Sequence, residues 1–337
     1  MKILLYVGID VAKEFLVICL KRKGRKDLLF RVANDEQGIA QLVEVLGADI
    51  SSAAVRLEAT SRFHRLAARM LSEAGAAVEV MNPMQARALA IGLGIIDKDD
   101  ELDASVLARS AQLVAHKASE LRSEAHEELR DLSRLIGTLT TQNAENKKRL
   151  GALSTQGAAH RLLKQTIELL AKQIAALKAE WKQLCKQELE LQRRFKLSCS
   201  VGDVGDETAR VVACELPATL SEHQIKQICA YAGVVPRRSQ SGSQKERSSI
   251  GKRGNSHLRT GLFMAAIHSV FQGKRNKAFY DRLMAKGRTH LQAMIAVMHK
   301  LLREILAVLK RDSPWKAEPP SNHSKKISEP LLRGATT

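Results

Sequence analysis

Val7-Gly8-Ile9-Asp10-Val11 closes the apolar run from Leu4 to Val11 and places a carboxylate at the end of a strand that otherwise reads as buried, where a charge is normally avoided. Two more short apolar runs follow, Phe15 to Leu20 and Leu28 to Val32, each after a polar break. Three such runs in succession predict an antiparallel meander. Beyond them come helical sequence over Glu36 to Leu46, a strand at Ala54 to Ala59, a helix over Arg62 to Ala74, a strand at Ala77 to Met81 and helical sequence after Pro83. Gly75 suits the stop of the helix before it, and Pro83 the start of the one after.

The order βββαβαβα is that of a ribonuclease H-like (RuvC-like) α/β domain, a mixed sheet with helices on both faces, assigned to residues 1–112. From Leu107 to Phe195 there is no proline and few glycines, the composition of long helices. Leu121, Leu129, Leu132, Ile136 and Leu139 recur at helical spacing, as do Leu162, Ile167, Leu170, Ile174, Leu177, Trp181 and Leu184, with Gly151 to Ala158 marking a turn. Residues 113–195 are therefore expected to form an antiparallel helical hairpin projecting as a coiled coil, or an internal helical bundle. Residues 196–315 return to mixed composition and are assigned to a mainly helical third domain, and 316–337 to a disordered tail.

The 337 residues carry 54 Lys and Arg against 36 Asp and Glu, a formal charge of +18. Such an excess favours a polyanionic partner and disfavours a purely small-molecule role. No run approaches the roughly 20 apolar residues needed to span a bilayer, and the N-terminus is strand-like rather than signal-like. A soluble cytoplasmic protein with no membrane partner is expected. Cys19, Cys185, Cys199, Cys214 and Cys229 are odd in number and form no CxxC pair, so they read as reduced thiols rather than zinc ligands.

Taken alone, Asp10 could reach solvent or pair with Lys13. Glu58 repeats the oddity at the end of Val55-Arg56-Leu57-Glu58. If the two strands are neighbours, the carboxylates repel unless a cation lies between them. In Asp97-Lys98-Asp99-Asp100-Glu101-Leu102-Asp103-Ala104, Asp100 and Asp103 stand one helical turn apart on a shared face. Acids in a first turn also favour the helix dipole, which accounts for Asp97, Asp99 and Glu101. Hard oxygen ligands suit Mg²⁺, or Mn²⁺, rather than zinc.

The spacing Asp10, Glu58, Asp100, Asp103 resembles that of the DEDD transposases of the IS110 family of bacterial insertion sequences, relatives of the Piv-type DNA invertases. Lys98-Asp99-Asp100-Glu101-Leu102-Asp103-Ala104 stands where the family has K-T-D-x-x-D-A. A second signature follows in order, through Tyr231-Ala232-Gly233-Val234-Val235-Pro236-Arg237, Gln240-Ser241-Gly242-Ser243, Lys252-Arg253-Gly254-Asn255, Leu258-Arg259 and Ala265-Ala266. The resemblance implies a metal-binding site made by the four acids, a serine nucleophile at Ser241, double-stranded DNA as substrate, and a non-coding bridge RNA that selects the element ends and the target. The chain departs from the family pattern at Asp99, and at Gly202-Asp203-Val204-Gly205, where the family has P-G-I-G. An Asp in that turn weakens phosphate binding by backbone N–H groups.

Read without the resemblance, the serine region is a basic loop that also holds Ser239, Ser243, Ser248 and Ser249. With the motif in register Ser241 is the expected nucleophile and Ser243 the next choice, while Arg237, Arg238, Lys245 and Arg247 are placed to hold a scissile phosphate. Residues 251–300 hold ten Lys or Arg against one acid, Asp281. Lys252, Arg253, Arg259, Lys274, Arg275 and Lys277 read as backbone contacts, which give affinity without sequence information. Aromatics are only 4% of the chain, which speaks against a single-strand stacking platform. The expected protein is a transposase or site-specific recombinase working as a homo-oligomer, dimer or tetramer. The alternative is a RuvC-like Holliday-junction nuclease in which no covalent intermediate forms.

Overall fold

The computed structural model describes residues 5–97, 99–154, 157–217, 222–239, 247–250 and 254–316, with backbone alone at 222–224, 236–239 and 247–250. The chain divides into two compact units, Met1–Leu121 and Arg122–Thr337.

In the first unit, β1 (Leu5–Val11), β2 (Phe15–Arg22) and β3 (Leu28–Ala33) form the meander. They are followed by α1 (Glu36–Leu46), β4 (Ala53–Glu58), α2 (His64–Glu73), β5 (Ala77–Met81), α3 (Pro83–Gly92) and α4 (Asp100–Leu113). The sheet order is β3-β2-β1-β4-β5, antiparallel through the meander and parallel from β1 to β4 and β5. Period-2 alternation divides the two faces. Leu5, Val7, Ile9 and Val11 join Leu16, Ile18, Val55 and Leu57 in a core with Ile39, Leu42 and Leu46 of α1 and Ala67, Ala68 and Leu71 of α2. On the opposite face Val17 and Cys19 pack against Ala104 and Ala108 of α4. Asp35 caps α1 by accepting from the Gly38 amide at 2.8 Å, and Asn82 and Pro83 start α3.

Residues 114–121 stay with this sheet. Arg56, 1% exposed, donates to Glu79 at 2.9 Å and to the carbonyls of Val114 and Ala115, both at 3.2 Å. Ser119 donates its amide to the Val78 carbonyl at 2.8 Å and accepts from the Val80 amide at 2.9 Å. The segment after α4 thus satisfies backbone groups along β5 that an edge strand leaves unpaired.

The second unit begins with α5 (Glu124–Ala152) and α6 (Ala158–Cys185). Trp181 donates its indole N–H to the Leu129 carbonyl at 3.0 Å. Joining the end of α6 to the start of α5 in this way makes the pair an antiparallel hairpin. Its root is not free: Leu129, Ile136, Ile174, Trp181 and Cys185 share a core with Leu191, Ala213 and Cys214 of α7 (Leu189–Ser200) and α8 (Asp206–Glu215). After α9 (Glu222–Tyr231), β6 (Pro236–Ser239) and β7 (Arg247–Ile250) pair as an antiparallel ribbon. Then come α10 (Ser256–Ile267), a π-helical turn at His268–Gln272, α11 (Lys277–Ala285) and α12 (His290–Arg311). α12 opens on a capping box of Thr289 and Gln292 and buries Met294, Met298, Leu301, Leu302, Ile305 and Leu309 in the main core of this unit.

All five cysteines are free thiols. Among the described residues no helix is long and apolar enough to cross a membrane. The chain is anchored as far as Trp315, whose amide donates to Ser200 Oγ at 2.8 Å. The tail expected from 316 onward lies, after Lys316, outside the described residues.

Candidate active site

Gly8 decides where the acids meet. It faces α4, and a Cβ there would fall on the Ala104 carbonyl oxygen and the Ala108 amide nitrogen. With hydrogen in that place, the backbone of α4 rests directly on β1. Asp10 lies two residues on, on the same face, as do Arg56 and Glu58 on the parallel neighbour β4, where Gly8 is opposite Arg56 and Ile9 opposite Leu57. The helix that leans on Gly8 begins at Asp100 and carries Asp103 in its first turn.

Burial separates the acids the sequence had grouped together. Asp10, Glu58, Asp100 and Asp103 are half-buried, whereas Asp97, Asp99 and Glu101 are exposed. Asp10 feels the consequence: burial, then the charges of Asp100, Asp103 and Glu58, push its carboxyl up to about 6. A hydrogen bond from the Val11 backbone opposes the rise without cancelling it. Four hard oxygen donors of one sign on one face suit a divalent cation in chemistry. Among the described residues they are not drawn in to a closed ligand cage.

In the second unit a buried carboxylate has the opposite surroundings. Glu215, at the end of α8 and 1% exposed, accepts two hydrogen bonds from Arg134 of α5, at 2.6 and 2.9 Å. It also accepts one from Asn255 Nδ2 at 2.7 Å. Burial alone would raise Glu215, but the Arg134 bonds and charge, with Asn255, hold it below the usual carboxylate value. Asn255 also reaches the Tyr231 hydroxyl at 2.8 Å and caps α10 by accepting from the Leu258 amide at 2.9 Å. Gly254, at φ +118°, sits where a Cβ would lie 2.6 Å from the Tyr231 carbonyl oxygen. The two chain ends that lead into and out of the β6–β7 ribbon are therefore tied to each other and to the hairpin.

The turn Gly202-Asp203-Val204-Gly205 is an internal brace. Asp203, at φ 69°, accepts from Ser269 Oγ at 2.9 Å and from Arg275 Nε at 3.0 Å. Arg275 also binds the Gly202 carbonyl at 2.7 Å and Glu304 at 2.9 Å, and it lies over Trp315. The Asp that departs from the family pattern is matched by an arginine turned inward, so Arg275 has its guanidinium committed within the fold rather than offered to phosphate. Of the other cations read from sequence, Arg259 is half-buried on α10, Lys274 is exposed, and Lys277 is exposed and paired with Asp281 at 2.6 Å. Ser241, Ser243, Lys245, Lys252 and Arg253 lie outside the described residues, and Arg237, Arg238 and Arg247 are described by backbone only.

Gly8, Arg56, Glu215 and Arg134 were not singled out from sequence. A glycine two residues before a strand-end Asp was the available signal for Gly8. The pairing of residues 81 apart left none for Arg134 and Glu215.

The first unit is thus a mixed sheet with acids gathered at one helix N-terminus, and family models place the chain among enzymes that act on DNA. A family model described as transposase matches residues 7–156. A second, described as the IS116/IS110/IS902 transposase family, matches residues 199–281. The chain belongs to the IS110 family of transposases, enzymes of DNA recombination. It is 28% identical over 316 residues, 92% of its own length and 97% of the relative's, to the pilin gene-inverting protein of Moraxella bovis, with the same figures for that of Moraxella lacunata. It is also 28% identical to the IS1111A transposase of Coxiella burnetii over 138 residues, 39% of this chain and 38% of the relative.

Proposed function

We propose that the chain is a site-specific recombinase of a mobile element. In this reading Ser241 captures the cleaved strand, and Asp10, Glu58, Asp100 and Asp103, in a ribonuclease H-like domain, hold Mg²⁺ or Mn²⁺. The observation that supports it most is the gathering of those four carboxylates on the α4 face, with Asp10 pushed up to about 6 by burial and by the other three. A divalent cation bound there supplies charge neutralisation on a phosphate and a lowered pKa for a coordinated nucleophile. Asp10, Glu58, Asp100 and Asp103 must all be ionised to hold it.

Ser241 Oγ attacks the phosphorus as the bond to a deoxyribose oxygen breaks, and the proton lost from Oγ is made up on that oxygen, leaving a phosphoserine ester and a free deoxyribose hydroxyl. Attack by the hydroxyl of another strand reverses the step, rejoins DNA and frees the serine. The ester conserves the energy of the broken phosphodiester, which hydrolysis does not. Arg237, Arg238, Lys245, Arg247, Lys252, Arg253 and Arg259 contribute charge to the phosphate backbone of the duplex. Two DNA partners must be cut together, which calls for a homo-oligomer, dimer or tetramer. Choice of sequence rests on a bridge RNA: the basic surface supplies affinity, and pairing through RNA supplies the discrimination.

The test is to trap and map a protein–DNA adduct on cognate ends, with and without RNA transcribed from the element's flanking non-coding region. We expect an adduct at Ser241, absent from Ser241→Ala, which still binds DNA, and absent without RNA. Strand exchange by Ser241→Ala would sink the serine assignment, and site-specific exchange without RNA would sink the guide.

A further inference from the structure

Aromatic residues are scarce in the chain as a whole, yet Phe271, Phe279 and Tyr280 fall within ten residues of one another in a strongly basic stretch. The π-helical turn His268–Gln272 buries Val270 completely and leaves Phe271 48% exposed. Irregular turns of this kind re-aim side chains and recur at functional sites. The Phe271 ring lies 5.7 Å from that of Tyr280 in an edge contact, and 6.3 Å from that of His290, tilted by 33°. Tyr280 is buried, and its hydroxyl meets His290 Nδ1 at 2.7 Å. The inner ring thus fixes two outer ones, Phe271 and His290, both open to solvent.

The charge around them is one-sided. Residues 271–290 hold six Lys or Arg and one acid, Asp281, and that acid is already paired with Lys277. Arg275 is turned inward, while Lys274, Arg282, Lys286 and Arg288 are exposed. An apolar protein face laid over Phe271 would leave these cations desolvated without partners. A nucleic-acid strand brings both what the rings lack and what the cations lack, a flat base and its phosphates.

We propose that Phe271 and His290 form a stacking site for an unpaired nucleotide, with Lys274 and its neighbouring cations holding the adjoining phosphates. The site rests on the reading of the chain as a nucleic-acid enzyme, but on neither Ser241 nor the carboxylates. Deoxyribose and ribose strands share the chemistry, and the experiment separates them.

The full chain is titrated into labelled single strands of oligothymidine and oligouridine, and into a duplex, with anisotropy read at several salt concentrations. Phe271→Ala should weaken single-strand binding by roughly tenfold or more, leave duplex binding and the salt slope unchanged, and be rescued by Phe271→Trp. Lys274→Ala should instead lower the salt slope by about one. Loss on one type of strand only, or on both, supports the site and names its source. Single-strand binding unchanged by Phe271→Ala, or weakened equally with the duplex, overturns it. A change in oligomeric state on Phe271→Ala, read by sedimentation, also overturns it and makes the patch a protein interface. Because no bond is broken, the result stands apart from the fate of the serine and metal assignments.

Discussion

Asp10 and Glu215 are both carboxylates withdrawn from water, and their surroundings are opposite. Asp10 faces three more acids and is pushed up to about 6. Glu215 faces Arg134 and Asn255 and is held below its ordinary value. Burial opposes the charge in both cases, so the difference lies in the neighbours. A carboxylate whose partners come from its own chain is complete and serves the fold. One surrounded by its own sign is left incomplete in charge, and a bound cation would offset that repulsion. The contrast sets a charge that the fold neutralises in the helical unit against one that it leaves among like charges in the sheet unit, though each lies at the end of a regular element.

Breaking the complete site should cost the fold most. Arg134→Ala leaves Glu215 buried and without its guanidinium, and should destabilise the protein by about 3–5 kcal/mol, read as a lower denaturation midpoint. Arg134→Ala with Glu215→Leu should recover much of that loss, since the uncompensated charge goes with its partner. At the incomplete site a smaller stability effect should come with a larger loss of activity. Gly8→Ala forces α4 off β1 and should cost about 1–3 kcal/mol as an overpacked contact, while recombination falls by more than the folded fraction explains. A control is Gly261→Ala, whose Cβ would meet Val211 at an ordinary 3.5 Å; it should leave both stability and recombination near those of the parent.

The smallest effect is the most diagnostic. In metal-free protein the native Asp10 carboxyl titrates near 6, against the ordinary 3.8. The folded chain therefore holds more protons between those values, and ionising Asp10 costs stability as pH rises through the window. Asp10→Asn should be the more stable protein above pH 6, and the advantage should vanish below the ordinary carboxylate value. Thermal melts across that range check it, and a less stable variant at neutral pH would contradict the assigned surroundings.

Much of the sheet unit was legible in the sequence because its signals are local. The apolar runs, Gly75 and Pro83 located β1 to β5 and the helices between them within a residue or two, and the acids near the strand ends marked residues that β1 and β4 bring to one face. What stayed hidden depends on contacts far apart in the chain. The clash that makes Gly8 necessary needs α4, about a hundred residues on, and the bond that neutralises Glu215 spans 81 residues. Asp203 read as a defect in a phosphate-gripping turn because Arg275, its partner, is 72 residues away. Composition also averages over position: 4% aromatics in the whole chain conceals the closeness of Phe271, Phe279 and Tyr280 to Lys274 and Lys277.

The most direct test of the contrast is a divalent-cation titration of wild type, Asp10→Asn and Arg134→Ala, followed by thermal shift and by calorimetry in buffers of different ionisation enthalpy. The account predicts that Mg²⁺ or Mn²⁺ raises the melting temperature of wild type, with proton release near pH 6 as Asp10 ionises. It predicts no such shift for Asp10→Asn and an undiminished one for Arg134→Ala, measured from its lower starting point. Equal cation-dependent stabilisation of wild type and Asp10→Asn, or none in wild type, would contradict the claim that the acids on the α4 face are a cation site.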